Sequence, residues 1–216
     1  MHVRVNAATS VDGKLSTRRR EQVRISGDED FARVDRLRAE SDAVLVGVGT
    51  VLADDPSLVR FDRDHRECVG KAGVPARVVA DSRARTPPDA AILDGDAVTY
   101  VLVSERAPRQ RRQRLEAAGA ALVVAGEQRV DLERAFAALA ADGVADLMVE
   151  GGGELIYSLL AADLVDELTT FVGPVVVGGR DAPTLADGEG FVDDFPDLDL
   201  VGVERLDGGV VLRWLV

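Results

Sequence analysis

The sequence predicts an α/β domain: a mostly parallel central sheet flanked by helices and ending in a C-terminal antiparallel hairpin. Three observations carry this. Short apolar runs alternate with amphipathic runs from Val3 to Leu160, the pattern of successive strand–helix–strand units. Several runs, such as Ala43 to Val46, show no polar alternation and so suit strands buried on both faces. Near the C-terminus two β-rich runs flank Asp207-Gly208-Gly209, which is a hairpin signal. The 216 residues suffice for one sizeable core. Neither an internal repeat nor a linker divides them, so residues 1–216 read as a single domain.

Taken in order, Val3 to Ala8 is the first strand, followed by a loop that turns at Asp12-Gly13. Residues 16–24 are polar and Arg-rich and read as a surface loop. Ser26-Gly-Asp-Glu is a capping signal for a helix over 28–40, with Phe31, Val34, Leu37 and Arg38 near one stripe. The strand at 43–46 runs into Gly47-Val-Gly49-Thr50, a short helix over 50–53, and Asp54-Asp55-Pro56. Residues 60–75 read as irregular. Arg77 to Ala80 is a third strand ending at Asp81-Ser82-Arg83, and Val98 to Val103 a fourth. A basic helix over 105–118, a strand over 121–124 and a helix over 131–142 opened by Asp131 follow. Leu147-Met148-Val149 then leads through Glu150 and Gly151-Gly152-Gly153 into an amphipathic run with Leu155, Ile156, Leu159 and Leu160. Beyond it lie a β-rich run from Glu167 to Val177, interrupted at Gly173-Pro174, a loop over 180–198, and the hairpin strands 198–206 and 210–215.

Composition narrows the function. Hydrophobic residues make up 46% and aromatics only 4%, so Ala, Val and Leu must fill the interior. No apolar run reaches the length of a membrane span, and the first residues do not read as a signal peptide. The lone Cys68 forbids an internal disulfide, which fits a cytoplasmic protein, and it excludes a cysteine-based zinc site. His2 and His65 are the only histidines, and neither has metal-ligand spacing, so no metal site and no Ser-His-Asp triad is expected. The net charge of −12 is uneven: residues 115–216 carry 5 basic and 20 acidic groups, and this acidic half argues against nucleic acid as the main partner. The first 114 residues nevertheless carry 21 basic and 18 acidic groups, a balance that could serve an anionic small molecule.

The residues themselves offer several candidates. The Glu150–Leu155 turn joins a strand to a helix opening. Glycines there let a phosphate approach unpaired N–H groups and the positive helix end. On the glycines alone, a tight βα turn without a ligand has equal standing. Gly47-Val-Gly49-Thr50 is a second such turn, and the two could face one crevice outside the strand ends. Neither matches G-x-G-x-x-G or G-x-x-x-x-G-K-[ST], which disfavours a standard Rossmann or P-loop protein. Ser82, Arg83 and Arg85 could bind the 2′-phosphate of NADP, or simply form a solvated turn. Lys14 could hold an anion or donate a proton, or be a surface lysine. Asp54-Asp55 reads as a helix-end pair rather than a metal pair. Glu150, a carboxylate inside an apolar strand end, suits hydrogen bonds to ligand hydroxyls.

Together these segments resemble a known family. Ser10-Val-Asp12-Gly13-Lys14, Arg24-Ile-Ser26, Leu37-Arg38-Ala39, Val46-Gly-Val-Gly49-Thr50-Val-Leu-Ala-Asp54-Asp55-Pro56, Val79-Ala-Asp81-Ser82, Val149-Glu150-Gly-Gly-Gly153, Leu164-Val-Asp166-Glu167-Leu168 and Asp181-Ala-Pro183-Thr184 resemble, in order, the riboflavin-biosynthesis reductases. The resemblance implies a dihydrofolate-reductase-like fold. It implies hydride transfer from NADPH, with NADH possible, to C1′ of a ring-opened ribosylaminopyrimidine phosphate, in a cytoplasmic homodimer. The combined H-x-E and P-C-x-x-C signature of a zinc deaminase is absent, so the chain looks like the stand-alone archaeal or fungal type. The implied cofactor contacts are Ala8, Thr50, Asp54, Ser82, Gly151, Gly152, Gly153, Glu154 and Leu155. The implied substrate contacts are Lys14, Arg38, Leu58 and Glu150, with Lys14 and Glu150 the catalytic candidates and Arg38 suited to the 5′-phosphate. The Asp55–Arg60 segment is one residue shorter than the family pattern, which leaves the role of Arg60 open. A reductase of another heterocycle such as a pterin, or a nucleotide-binding regulatory domain without turnover, are the competing readings.

Overall fold

The computed structural model describes residues 1–95 and 97–216. Its strands are β1 (His2–Ser10), β2 (Ala43–Gly47), β3 (Ala76–Ala80), β4 (Thr99–Val103), β5 (Ala121–Val124), β6 (Asp146–Val149), β7 (Glu167–Gly173), β8 (Asp199–Leu206) and β9 (Gly209–Leu215). Its helices are α1 (Asp28–Glu40), α2 (Val48–Asp54), α3 (Arg63–Cys68), α4 (Arg109–Ala117), α5 (Leu132–Ala141) and α6 (Gly153–Ala161), with a 3₁₀ turn at Ala91–Leu93. The strands form one sheet in the order β5-β4-β3-β2-β6-β1-β7-β9-β8. Pairing is parallel from β5 to β7, and β9 and β8 add antiparallel.

The central strands are buried on both faces, which is why their sequences do not alternate. Successive side chains point to opposite faces. Val3, Val5, Leu45, Leu147 and Val149 meet Phe136 and Leu139 of α5 and Ile156 and Leu159 of α6 on one side. Val46, Val79, Val101 and Val103 meet Val51 of α2, Ile92 and Leu115 of α4 on the other. Each fully buried Leu or Ile contributes roughly 1.5–3 kcal/mol of transfer free energy.

At the amino ends of the strands, Lys71 Nζ donates to Asp42 at 2.6 Å and to Asp146 at 2.7 Å. The other Asp42 oxygen accepts from the Ala145 and Asp146 amides at 2.9 Å each. Burial opposes the charges, but the Lys71 partnership outweighs it, so the Asp42 carboxyl is held below its usual range and the Lys71 ammonium above. This cluster clamps the loops entering β2 and β6 at the end of the sheet opposite the carboxyl ends. Two buried arginines act as carbonyl collectors: Arg66 donates to Ala39, Ser41, Ala72 and Gly73, and Arg77 to Ser57, Asp94 and Ala97.

Four details depart from the sequence reading. The 60–75 segment contains α3, capped by Asp62, whose carboxylate accepts from the His65 amide. The basic helix is shorter than 105–118, and β7 stops at Gly173 rather than continuing to Val177. Ser26 does not cap α1: the N-cap is Gly27, and the carboxylate that serves the helix comes from the hairpin turn, Asp207. Its oxygens accept from the Gly27, Asp30 and Glu29 amides at 3.1, 2.7 and 3.4 Å. Local sequence could not show a cap delivered from 180 residues away. Asp207 and Gly208 both have positive φ (49° and 75°), as a two-residue primed turn requires.

Candidate active site

The parallel order β3-β2-β6-β1 places four strand carboxyl ends side by side, the usual position for a ligand in an open α/β sheet. The two glycine turns meet there. The Gly47 amide donates to the Gly151 carbonyl at 3.4 Å, and Thr50 Oγ1 and Leu155 lie beside Gly152. Gly151 and Gly152 have φ of 121° and 90°, values that disfavour any side chain. Gly153 is different. It is helical, and a Cβ there would collide with the Thr184 carbonyl and Asp187, so its smallness serves packing.

Two helices begin at this point without a side-chain cap among the described residues: α6 after Gly152 and α2 after Gly47. A Cβ built on Gly49 or Gly151 would meet nothing within 4 Å, so there is room beside this backbone; Gly49 is exposed, Gly152 half-buried and Gly151 buried. Uncapped N–H groups, the positive helix end and open glycine backbone fit the diphosphate of a dinucleotide. The donor set is therefore compatible with a nicotinamide cofactor.

Glu150, at the end of β6, is joined to Arg38 of α1. Arg38 Nε donates to Oε1 at 2.5 Å and Nη2 to Oε2 at 2.7 Å. The side chains are 17% and 11% exposed, so this pair is largely withdrawn from water. Arg38 Nη1 donates to the Arg60 carbonyl at 3.0 Å and lies 3.6 Å from Asp35. Burial alone would lower the Arg38 guanidinium. The hydrogen bonds and charge of Glu150, with Asp35, reverse this and raise it.

Lys14 follows β1 and bridges to Thr184, with Nζ donating to the Ala182 carbonyl at 3.2 Å. Since the Thr184 carbonyl also abuts Gly153, the Ala182–Asp187 loop links Lys14 to the glycine turn. Asp12 fixes the same region. It accepts from Ser10 Oγ at 2.6 Å and from the Val177 and Gly178 amides at 3.0 and 2.8 Å. The Ser10 hydroxyl and the Val177 amide, with a smaller part from Gly178, bring its carboxyl down to about 2.

The remaining candidates are placed as follows. Asp54 ends α2, half-buried. Leu58 has a left-handed φ of 51° and packs on the core beneath α2 and α4. Ala8 adjoins the Ile25–Phe171–Val211 cluster. Glu154 is exposed, whereas the Leu155 side chain is core, so only its backbone can meet a ligand. The Ser82 hydroxyl accepts from the Val130 amide at 3.0 Å. Next to it, Arg83, Arg106, Pro108, Arg111 and Gln128 line a cleft of about 290 Å³, and Arg85 lines a neighbouring one. Sequence reasoning did not single out Asp35, which accepts from Arg60 Nε at 2.7 Å; its i, i+3 spacing to Arg38 on one helix was the available signal.

The chain matches the family model described as RibD C-terminal domain over residues 1–212. It is 50% identical over 194 residues to the 2,5-diamino-6-ribosylamino-4(3H)-pyrimidinone 5′-phosphate reductase of Archaeoglobus fulgidus, covering 88% of each chain. To the reductase of the same name from Methanothermobacter thermautotrophicus it is 47% identical over 204 residues, 94% of this chain and 91% of that one. Among solved structures it resembles a pyrimidine reductase-like protein from Corynebacterium diphtheriae, with a TM-score of 0.85 at 21% identity over 99% of this chain and 91% of that one, a likeness of fold alone. The mostly parallel sheet with an antiparallel C-terminal edge is the expected dihydrofolate-reductase-like architecture.

Proposed function

The chain belongs to the RibD C-terminal domain family, and from that premise we propose that it reduces the ribosylamino side chain of 2,5-diamino-6-ribosylamino-4(3H)-pyrimidinone 5′-phosphate to the ribitylamino form, with NADPH as reductant. The names of the two archaeal relatives support the substrate. The observation that carries the reading is the Arg38–Glu150 pair standing directly beside the open glycine turn. A substrate held by the pair and a dinucleotide held by the turn would meet across the boundary between Glu150 and Gly151.

When bound, the nicotinamide cofactor supplies the hydride that reduces C1′ of the ring-opened imine. The Gly151–Leu155 backbone and Thr50 hold the diphosphate, and Ala8 and Asp54 border the cofactor. Ser82, with Arg83 and Arg85, offers a hydroxyl and two guanidinium groups to a 2′-phosphate, which favours NADPH over NADH. Arg38 binds the substrate 5′-phosphate, and Glu150 accepts hydrogen bonds from ribose hydroxyls. Leu58 borders the substrate. Lys14, anchored by the Ala182 carbonyl, supplies the proton that balances hydride addition.

The protein acts as a cytoplasmic homodimer in this reading. Among the described residues no helix is long and apolar enough to cross a membrane. Leu200, Val201 and Val203 of the edge strand β8 are more than half exposed, an apolar edge that a second copy would cover. Titrating the protein with NADPH and NADH, and following oxidation of each with the pyrimidine substrate and with dihydrofolate, tests the proposal. Turnover of the pyrimidine with NADPH is expected. Turnover of dihydrofolate alone identifies a pterin-type reductase, and cofactor binding without turnover a regulatory domain.

A further inference from the structure

Arg38 and Arg60 are two cations brought together on one side of the site, and like charges this close need a counter-charge. The side chain of Asp35 stands between them. It lies one helical turn before Arg38 on α1, with Oδ1 3.6 Å from Arg38 Nη1 and Oδ2 accepting from Arg60 Nε at 2.7 Å. Its own side chain is 15% exposed, whereas that of Arg60 is 72% exposed. The Asp35 carbonyl also accepts from the Asp62 amide at 3.0 Å, so the helix holds the loop at Arg60 and again two residues beyond it. The Arg60 carbonyl in turn accepts from Arg38 Nη1 at 3.0 Å.

The donor arithmetic is informative. A guanidinium has five N–H donors. Arg38 spends its Nε and one terminal nitrogen on Glu150, and the other on the Arg60 carbonyl. Among the described residues the Arg60 side chain donates through Nε to Asp35, and at 72% exposure its terminal fork faces solvent near Arg38. Asp35 and Glu150 together neutralise the two arginines. A phosphate dianion entering there would meet a prepared fork on Arg60 and could draw Arg38 away from Glu150, leaving the carboxylate for hydroxyl groups.

We propose that Asp35 is a positioning residue that assembles Arg38 and Arg60 into one clamp for the phosphate of a phosphorylated sugar ligand. The inference rests on the functional reading above for the identity of the substrate. It does not need turnover to be tested.

The test titrates wild type, D35N, D35E, R60A and D35N/R60A with ribose 5-phosphate and with ribose, and measures KM and kcat with the pyrimidine phosphate. D35N should weaken ribose 5-phosphate by about tenfold, the scale of one charge-assisted hydrogen bond, and leave ribose unaffected. In turnover the loss should fall on KM rather than kcat, D35E should restore part of it, and the double variant should bind no worse than R60A. Equal losses for both sugars, or unchanged ribose 5-phosphate binding in D35N, would overturn the proposal. If D35N does not fold, R60A carries the same test, and undiminished phosphate affinity there overturns it as well. Failure of the enzymatic reading registers separately, as absence of pyrimidine reduction by the wild type while phosphate-dependent binding persists.

Discussion

Arg38 and Glu150 form a two-point ion pair between α1 and the end of β6, with N–O separations of 2.5 and 2.7 Å. Two groups assigned to the substrate are thus engaged with each other, 112 positions apart in sequence. The pairing solves a physical problem. A carboxylate that is 11% exposed at a strand end needs a charged partner.

Replacing Glu150 by Gln keeps the shape and one acceptor oxygen but removes the charge. Turnover should fall by about 100-fold, while unfolding free energy falls by about 1–3 kcal/mol, since Asp35 still faces Arg38, and the protein stays folded. Steady-state kinetics beside a denaturant titration separates the two. A variant with wild-type turnover contradicts the role given to Glu150.

Arg38→Lys retains the positive charge but loses the planar fork. A single ammonium cannot reproduce the parallel two-nitrogen fork to Glu150 together with the Arg60 carbonyl contact, so the conservative change should behave almost as badly as Arg38→Ala in substrate KM. A wild-type KM in the lysine variant would show that charge alone suffices.

The Asp207 carboxylate caps α1 from the β8–β9 turn. Asp207→Ala should cost about 1 kcal/mol, the usual value of a helix cap. A thermal unfolding midpoint unchanged from wild type would remove the cap from the account. Gly27→Ala should also destabilise, because its methyl group would run into the same carboxylate.

Asp12 gives a pH prediction with a definite sign. Its folded value is lowered from 3.8 to about 2 by Ser10 first and Val177 next, so the contribution of these bonds is fully present above 3.8 and is lost as pH falls through about 2. Carboxyl carbon chemical shifts should titrate near that lower value in the wild type. A midpoint at the ordinary aspartate value would mean that Asp12 does not hold the Val177–Gly178 segment.

Much of this was legible in the chain. Buried strands announce themselves by missing alternation, as Ala43–Gly47 does, and Asp207-Gly208 announces its turn by the positive φ that both positions must adopt. The glycine turn was visible too, but not the division of labour within it. Gly151 and Gly152 are needed for backbone conformation, whereas Gly153 is needed because Thr184 passes too close for a side chain. What local reading could not supply were contacts set by tertiary structure. The cap of α1 comes from residue 207 rather than Ser26. In sequence Asp35 is one more helix-surface charge; the fold brings Arg60 to it from 25 positions away. The helix Arg63–Cys68 escaped notice because it is only six residues long and strongly charged, with Arg66 buried by donating to four carbonyls rather than by an apolar stripe.

The central claim is that the Arg38–Glu150 pair and the glycine turn serve one hydride transfer to a ribosylaminopyrimidine phosphate. The most direct test incubates the purified protein with NADPH and 2,5-diamino-6-ribosylamino-4(3H)-pyrimidinone 5′-phosphate and measures cofactor oxidation together with the mass of the product. The account predicts one NADPH consumed per ribitylamino product formed, with the phosphate retained. Oxidation that requires a different heterocycle, or no oxidation with the pyrimidine substrate at all, would contradict it.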